Sequence, residues 1–136
     1  MNESEWSRIE ADLRNGTDLD LMVGAAERLH RAASSEDVGR LRELLADDDF
    51  FVREAAAWPL SELAGVSHLP ALLHALRRGI EEGHDNDGLT AALVDLAESE
   101  PAAVRTALEA LIDSPRSDVQ EEARWLMQFC HPVQDA

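Results

Sequence analysis

The chain has 136 residues, of which 28 are acidic and 12 are basic, so its formal net charge is −16. This length fits one domain, over residues 1–136, and a hydrophobic fraction of 45% is too high for a disordered chain. So strong a negative charge repels duplex DNA and anionic lipid, which argues against nucleic acid and membranes as partners. Since Cys130 is the only cysteine, no intramolecular disulfide can form, and we expect a cytoplasmic protein.

Apolar residues recur at helical spacing in the first half of the chain and predict four amphipathic helices. The turn and capping residues that divide them are Asn15-Gly16, Thr17, Ser34 or Ser35, and Asp47-Asp48-Asp49. Carboxylates such as those of the aspartate triplet accept backbone N–H groups and lie favourably at the positive end of a helix dipole. The predicted apolar stripes are Trp6, Ile9 and Leu13; Leu21, Ala25, Leu29 and Ala32; Val38, Leu41, Leu44 and Leu45; and Val52, Ala56, Leu60 and Leu63.

The second half predicts four more helices by the same periodicity. The fifth begins near Pro70, because proline is tolerated in a first turn, and Gly83 ends it. Ser117 and Gln120 have the spacing of a capping box for the eighth. No stretch alternates with period two, so no strand is predicted. The stripes are Leu72, Leu73, Leu76 and Ile80; Leu89, Ala92, Leu93 and Leu96; Val104, Ala107, Leu108, Leu111 and Ile112; and Val119, Ala123, Leu126 and Cys130.

Short segments repeat at about the length of a helical hairpin. Their common mark is a pair that contains alanine and is followed by larger apolar residues, and the pairs are Ala25-Ala26, Ala55-Ala56, Ala91-Ala92 and Glu122-Ala123. The steps between them are roughly 30 to 36 residues, as in repeat proteins built from stacked helix pairs. The sequence therefore predicts eight helices in four antiparallel hairpins.

Residues 49–57 and 113–123 resemble the turn and second helix of the HEAT-repeat family, closest to its short PBS-lyase HEAT-like branch. In that family an acidic residue precedes Val-Arg and an alanine-rich face, as Asp49 precedes Val52-Arg53 here. In the third pair Gly88-Leu89-Thr90 replaces this motif, and in the fourth Gln120 replaces the arginine. The resemblance implies the predicted fold class, an all-α, right-handed α-solenoid of about four antiparallel helical hairpins.

The sequence predicts no catalytic residue, metal site or cofactor. Asp85-Asn86-Asp87-Gly88 is similar to the start of a calcium loop, but Leu96 stands where the twelfth position needs a glutamate. Cys130 lies on an apolar stripe, where a thiol behaves as a small hydrophobe. The histidines are scattered without the spacing of metal ligands, and they are His30, His68, His74, His84 and His131.

Two features are candidates for partner binding. Between Gly79 and Val104 there are seven carboxylates and no arginine, which predicts either a solvated face or a surface that steers a basic partner. Trp58 and Trp125 hold equivalent places beside the stripes of their helices, and each either packs against the next repeat or is an exposed anchor. We expect the second helices to line a concave face. The predicted partner-binding residues are Glu54, Trp58, Glu81, Glu82, Asp85, Asp87, Thr90, Asp95, Glu121, Arg124, Trp125 and Gln128.

These features predict a non-enzymatic module that captures a basic protein, because solenoids present extended surfaces for macromolecules. By analogy with small acidic immunity or inhibitor proteins, that partner is a toxin to be neutralised. Two alternatives remain open: a generic adaptor or assembly scaffold that binds through apolar patches, and a HEAT-like lyase or hydrolase with a small molecule in the groove. Homodimerisation through the tryptophan-bearing faces also stays open.

Overall fold

The computed structural model describes residues 1–131, and this part of the chain is helical with no strand. Single-turn 3-10 helices at Ser35–Asp37 and Gly65–His68 precede the third and fifth helices. The predicted all-α class is thus confirmed for these residues. The helices are α1 (Glu3–Leu13), α2 (Leu19–Ala32), α3 (Val38–Leu45), α4 (Phe50–Ala64), α5 (Leu69–Glu81), α6 (Asp87–Ser99), α7 (Pro101–Asp113) and α8 (Gln120–Met127).

Side chains that accept hydrogen bonds begin three of the helices. Asn2, Asp18 and Asp49 each accept a backbone N–H from two or three residues further on, at 2.8, 3.1 and 2.9 Å. These bonds satisfy donors that have no partner within the first turn. The capping role predicted for the aspartate triplet is confirmed at Asp49. The prediction that Thr17 begins α2 is wrong, because its hydroxyl and amide both donate to the side chain of Asn15.

Two glycines end helices in the left-handed region of φ, which residues with a Cβ rarely adopt. Gly65 has φ 56° after α4, and Gly83 has φ 79° just after α5. The predicted end of the fifth helix at Gly83 is therefore confirmed. The predicted turn at Asn15-Gly16 suggested a third left-handed glycine, and this prediction is wrong, because the φ of Gly16 is not positive.

Consecutive helices pack as pairs, α1 on α2, α3 on α4, α5 on α6 and α7 on α8. The second helices of the pairs also contact one another in chain order, from α2 through α4 and α6 to α8. Helix α4 lies in the middle of these contacts, and Val52, Ala56, Ala57 and Leu60 are each at most 1% exposed. Small alanines allow neighbouring helices to approach α4 closely.

Four residues of the predicted stripes lie at the surface instead of in the core. Leu21 and Leu63 are each 37% exposed, Ile80 is 56% exposed, and Ala32 is also exposed. Helix α2 stands at one end of the series of second helices and packs mainly on α1 and α4. Because no further helix within residues 1–131 packs on its outer side, only Ala25 and Leu29 of its stripe are buried.

A buried guanidinium joins the turn before α4 to the end of α5. Arg53 is 1% exposed, and its Nη1 donates to the backbone carbonyls of Asp47 and Asp48 at 2.9 and 3.1 Å. Its Nη2 donates to Oε1 of Glu82 at 2.5 Å. These bonds satisfy most of a group that would be costly to bury unpaired.

Gln120 occupies the place in the fourth pair that Arg53 holds in the second. Its Nε2 donates to the backbone carbonyls of Ile112 and Ser114 at 3.1 and 2.6 Å. The predicted capping box of Ser117 and Gln120 is therefore wrong, because the Gln120 side chain is engaged by the preceding turn. Both side chains tie a second helix to the turn that leads into it.

We expect the substitution Arg53→Ala to lower the free energy of unfolding by about 3 kcal/mol, since it removes a fully buried side chain together with its hydrogen bonds to the Asp48 carbonyl and to Glu82. Arg53→Gln should lower the free energy of unfolding by less, because a side-chain amide at this place can still donate to a backbone carbonyl, as that of Gln120 does. Urea denaturation measures both. Arg116→Ala, at an exposed turn, serves as control and should change stability by less than about 0.5 kcal/mol. A loss below about 1 kcal/mol for Arg53→Ala would contradict the role of this contact.

Candidate protein-binding surface

The middle of the molecule carries charge of opposite sign on two pairs of helices. Helices α4 and α6 pack together and carry Glu54, Glu62, Asp87, Asp95 and Glu98 against one arginine, the buried Arg53. Helices α3 and α5 also pack together and carry Arg40, Arg42, Arg77 and Arg78 against Glu43 and Glu81. We call the surface formed by residues 54, 62, 85, 87, 95 and 98 the acidic face. Its negative potential favours approach of a cationic partner.

An apolar groove of about 300 Å³ opens beside the acidic face, between α2, α4 and the start of α6. We call it the Trp58 groove, because the half-buried indole of Trp58 lies in its wall. The His30 ring lies 6.4 Å from this indole, and its Nε2 is 3.0 Å from Oε2 of Glu62. Within residues 1–131 no arginine lines the groove. Its apolar lining is Val23, Ala26, Phe51, Ala55, Trp58 and Pro59, and its polar side chains are Glu27, His30 and Glu54.

The Glu54 carboxylate lies against the N-terminal end of α6. A Cβ on Gly88 would stand 2.8 Å from Cδ of Glu54, so a larger residue at position 88 would displace the Glu54 side chain from this position. Burial raises the pKa of Glu54, although the nearby backbone amides of Gly88 and Leu89 act in the opposite direction. Its Oε2 is buried and, within the described residues, accepts no hydrogen bond. The groove thus holds a carboxylate that is incompletely satisfied.

Two further carboxylates lie at the same end of α6. Oδ1 of Asp85 accepts the backbone N–H of Asp87 at 3.2 Å. The Asp85 carboxylate accepts a hydrogen bond from protonated Asp87, and this bond together with the charge of Asp85 raises the pKa of Asp87. The charges of both aspartates also contribute to raising the pKa of Glu54. Residues 1–131 contain no cluster of three or more His, Cys, Asp or Glu side chains that could hold a metal ion.

A second groove, of about 350 Å³, lies between α5, α6 and α8. We call it the Trp125 groove, and its lining residues are Leu76, Ile80, Asn86, Thr90, Glu121, Glu122 and Trp125. Trp125 is half-buried, and its ring meets that of Phe129 edge to face with centroids 5.4 Å apart. Each tryptophan therefore packs on the core and also lines a groove, so the two roles considered for them are not exclusive.

The residues predicted to bind a partner fall into separate groups. The Trp58 groove contains Glu54 and Trp58, and the Trp125 groove contains Thr90, Glu121 and Trp125. Exposed positions on α6, on α8 or in adjacent turns, lining neither groove, are held by Asp85, Asp87, Asp95, Arg124 and Gln128.

The remaining two, Glu81 and Glu82, are engaged within the fold. Glu81 pairs with Arg77 at 2.8 Å, and Glu82 joins Arg53 to Arg78. Hydrogen bonds from Arg53 and then Arg78 lower the pKa of Glu82. Glu81 thus pairs within α5, whereas Glu82 links the end of α5 to α4. The outward charge of the predicted acidic stretch comes from its other carboxylates, Asp85, Asp87, Asp95, Glu98 and Glu100, which are all exposed.

Val23, Phe51 and His30 line the Trp58 groove but were absent from the prediction. For Val23 the sequence contains a signal, which is a second pair of apolar residues at helical spacing on α2. Leu19 and Val23, four residues apart, are 66% and 43% exposed and form a second apolar stripe on α2, away from Ala25 and Leu29. A second stripe on a short helix indicates a surface left for another contact.

No family model, curated protein or solved structure matches this chain. The likeness to HEAT repeats accordingly stays a prediction from the motifs. None of the helices described is both long and apolar enough to cross a membrane.

We expect the stability difference between the Glu54→Gln variant and the parent to change with pH in a defined direction. Since the folded-state pKa of Glu54 is raised, its contribution to stability is fully present below the unfolded pKa and is lost as pH rises through the folded value. The variant should therefore gain stability relative to the parent as pH rises from the ordinary titration range of a glutamate through the raised pKa of Glu54. Thermal unfolding of both proteins across this range measures it. If the stability of the variant relative to the parent is constant or falls with rising pH, burial is not the dominant influence on the pKa of Glu54.

Proposed function

We propose that the chain is a non-enzymatic protein-binding module, a right-handed α-solenoid of four hairpins, that captures a basic protein. Support for the solenoid comes from the pairwise packing of the helices and from the contacts of successive second helices. Support for a basic partner comes from the acidic face and the net charge of −16. The capture site is the Trp58 groove together with the acidic face beside it.

The observation that carries this proposal is the apolar groove bordered by carboxylates. An aromatic side chain such as Trp58, already packed on one side, provides contact area at low entropic cost, and tryptophan is enriched among residues that dominate binding energy. The surrounding charges raise the association rate of a cationic partner. Affinity thus arises in the groove, while selection by charge arises on the acidic face.

The occupant that suits this geometry is an amphipathic helix or turn of the basic partner. Its apolar side chains would contact Val23, Phe51 and Trp58, and its Lys or Arg side chains would lie beside Glu27 and Glu54. Leu19, exposed further along the same side of α2, extends the apolar contact beyond the groove. By analogy with immunity proteins, a toxin whose active surface is basic is the partner class that we propose.

A generic adaptor is the second candidate, and the exposed apolar side chains Leu19, Val23 and Ile80 favour it. The two candidates differ in the interaction that dominates. Capture of a basic protein weakens as salt screens the charges, whereas an adaptor that relies on apolar patches is nearly indifferent to salt.

The electrostatic part can be tested with a synthetic amphipathic helix that has Leu on one face and Lys and Arg on the other. Its affinity should fall at least tenfold between about 50 mM and about 500 mM salt. The triple variant Asp85→Arg, Asp95→Arg, Glu98→Arg should bind it at least tenfold more weakly than the parent, as measured by fluorescence anisotropy. Asp87 stays unchanged, because a cation in the first turn of α6 would oppose the helix dipole.

The matched control reverses three exposed carboxylates away from the acidic face, Glu36, Glu43 and Glu109, and changes net charge equally. An equal loss in control and test variants would show that net charge alone is responsible. Binding that ignores both salt and the substitutions would favour the adaptor.

The contribution of Trp58 to binding can be tested by replacing each of the two tryptophans, Trp58 and Trp125, in turn. Trp58→Ala should weaken binding of the amphipathic helix by more than about tenfold, because it removes the groove wall. Trp125→Ala is a control with the same chemistry and similar burial in the other groove, and it should leave affinity within about twofold. A scrambled peptide of identical composition, which forms no apolar face, should bind weakly to the parent and to both variants. Loss of binding only in Trp125→Ala would move the site to the Trp125 groove.

A further inference from the structure

A third groove, between α1 and α2, is basic although the chain as a whole is strongly acidic. It has a volume of about 320 Å³ and is lined by Glu5, Arg8, Ile9, Arg28, Arg31 and Ala32. We call it the arginine groove. We propose that it binds a phosphate group carried by a small molecule. This site is independent of the Trp58 groove and of the partner that we propose there.

Two of its arginines are available for a ligand. Elsewhere in the fold, carboxylates engage Arg14, Arg40, Arg53, Arg77 and Arg78. Arg8 and Arg31 are exposed and form no ion pair or side-chain hydrogen bond within residues 1–131. Arg42, Arg105, Arg116 and Arg124 also form no ion pair within these residues, but Arg8 and Arg31 are the two unpaired arginines that line this groove together.

The third arginine is held in a fixed orientation. Nη2 of Arg28 contacts Oδ2 of Asp12 at 2.5 Å, and its Nε donates to the carbonyl of Gly24 at 3.4 Å. These contacts leave Nη1 for a further acceptor. A donor whose direction is already set loses less entropy when it binds a ligand than a free side chain does.

The fold explains only part of this arrangement. Arg31 lies in the last turn of α2, where a cation interacts favourably with the helix dipole. The helix dipole does not explain the position of Arg8, because Arg8 lies in the middle of α1. The only carboxylate of the lining is Glu5, whose Oε1 already accepts a bond from Asn2 at 3.3 Å. Three arginines against Glu5 and the Asp12 that pairs with Arg28 leave a local excess of one positive charge.

The number of donors favours phosphate over carboxylate. A single arginine fork satisfies the two oxygens of a carboxylate, whereas the peripheral oxygens of a phosphate can accept bonds from several guanidinium groups. Ile9, 3% exposed, and Ala32 provide an apolar patch for the organic part of the ligand. The volume is that of a small-molecule site, and the net charge of −16 opposes long polyanions.

The test titrates inorganic pyrophosphate into the full chain by isothermal calorimetry at constant ionic strength, with citrate in a parallel experiment. We expect saturable pyrophosphate binding, and at least tenfold weaker binding in the double variant Arg8→Gln, Arg31→Gln. The control is Arg116→Gln, Arg124→Gln, which removes two exposed arginines outside the groove and should bind like the parent. Circular dichroism establishes that all variants are folded.

Three outcomes would overturn the proposal: no binding of pyrophosphate at millimolar concentration, an equal loss in the control variant, or citrate binding as tight as that of pyrophosphate. The last would show that the groove responds to charge and not to phosphate. Trp58→Ala should leave pyrophosphate binding unchanged, so failure of one site is distinguishable from failure of the other.

Discussion

The burial of the Arg53 guanidinium is the constraint on which the middle of the molecule depends. A charge removed from water needs several partners at once, and Arg53 finds them in the turn before α4 and in Glu82 after α5. The guanidinium also lies 5.5 Å from the centroid of the Phe50 ring, which stacks on His84 at 4.2 Å. One side chain thereby fixes the segment between α5 and α6 against the start of α4.

This constraint determines which carboxylates remain for a partner. Glu82 is committed to Arg53 and Arg78, so it contributes to the fold. The chain then turns at Gly83, and Asp85 and Asp87 follow at the start of α6, directly opposite Glu54. The negative potential beside the Trp58 groove is thus a consequence of how the buried arginine positions this turn.

Much of the fold could be predicted from the sequence, because local rules act over a few residues. Apolar periodicity identified the helices. Asp49 correctly indicated the beginning of α4, and Gly83 the end of α5. The motif at Val52-Arg53 indicated the central helix, α4. The errors at Thr17 and Gln120 have one cause. A polar side chain near a helix start can bond the cap or a preceding turn, and only the folded backbone decides which.

The candidate site could be predicted less completely, because a groove is a property of several helices together. Glu54 and Trp58 were found from one helix, but Val23 and Phe51 join them only through the packing of α2 on α4. Glu81 and Glu82 appeared in sequence as part of an unopposed acidic stretch, since their arginine partners lie outside it. The pairing Glu82–Arg53 spans 29 residues, beyond what helical spacing can indicate.

The distribution of arginine connects these observations into one argument about function. In a chain with more than twice as many carboxylates as arginines, each arginine left unpaired is a departure from the electrostatically simplest arrangement. Arg53, Arg77 and Arg78 pair with Glu82, Glu122 and Asp48 on other segments of the fold, so they connect these segments and leave the acidic face without a paired arginine within residues 1–131. Arg8 and Arg31 do neither, because they line a groove with almost no opposing charge. The Trp58 groove with its acidic face and the arginine groove therefore carry charge of opposite sign on separate sides of α2.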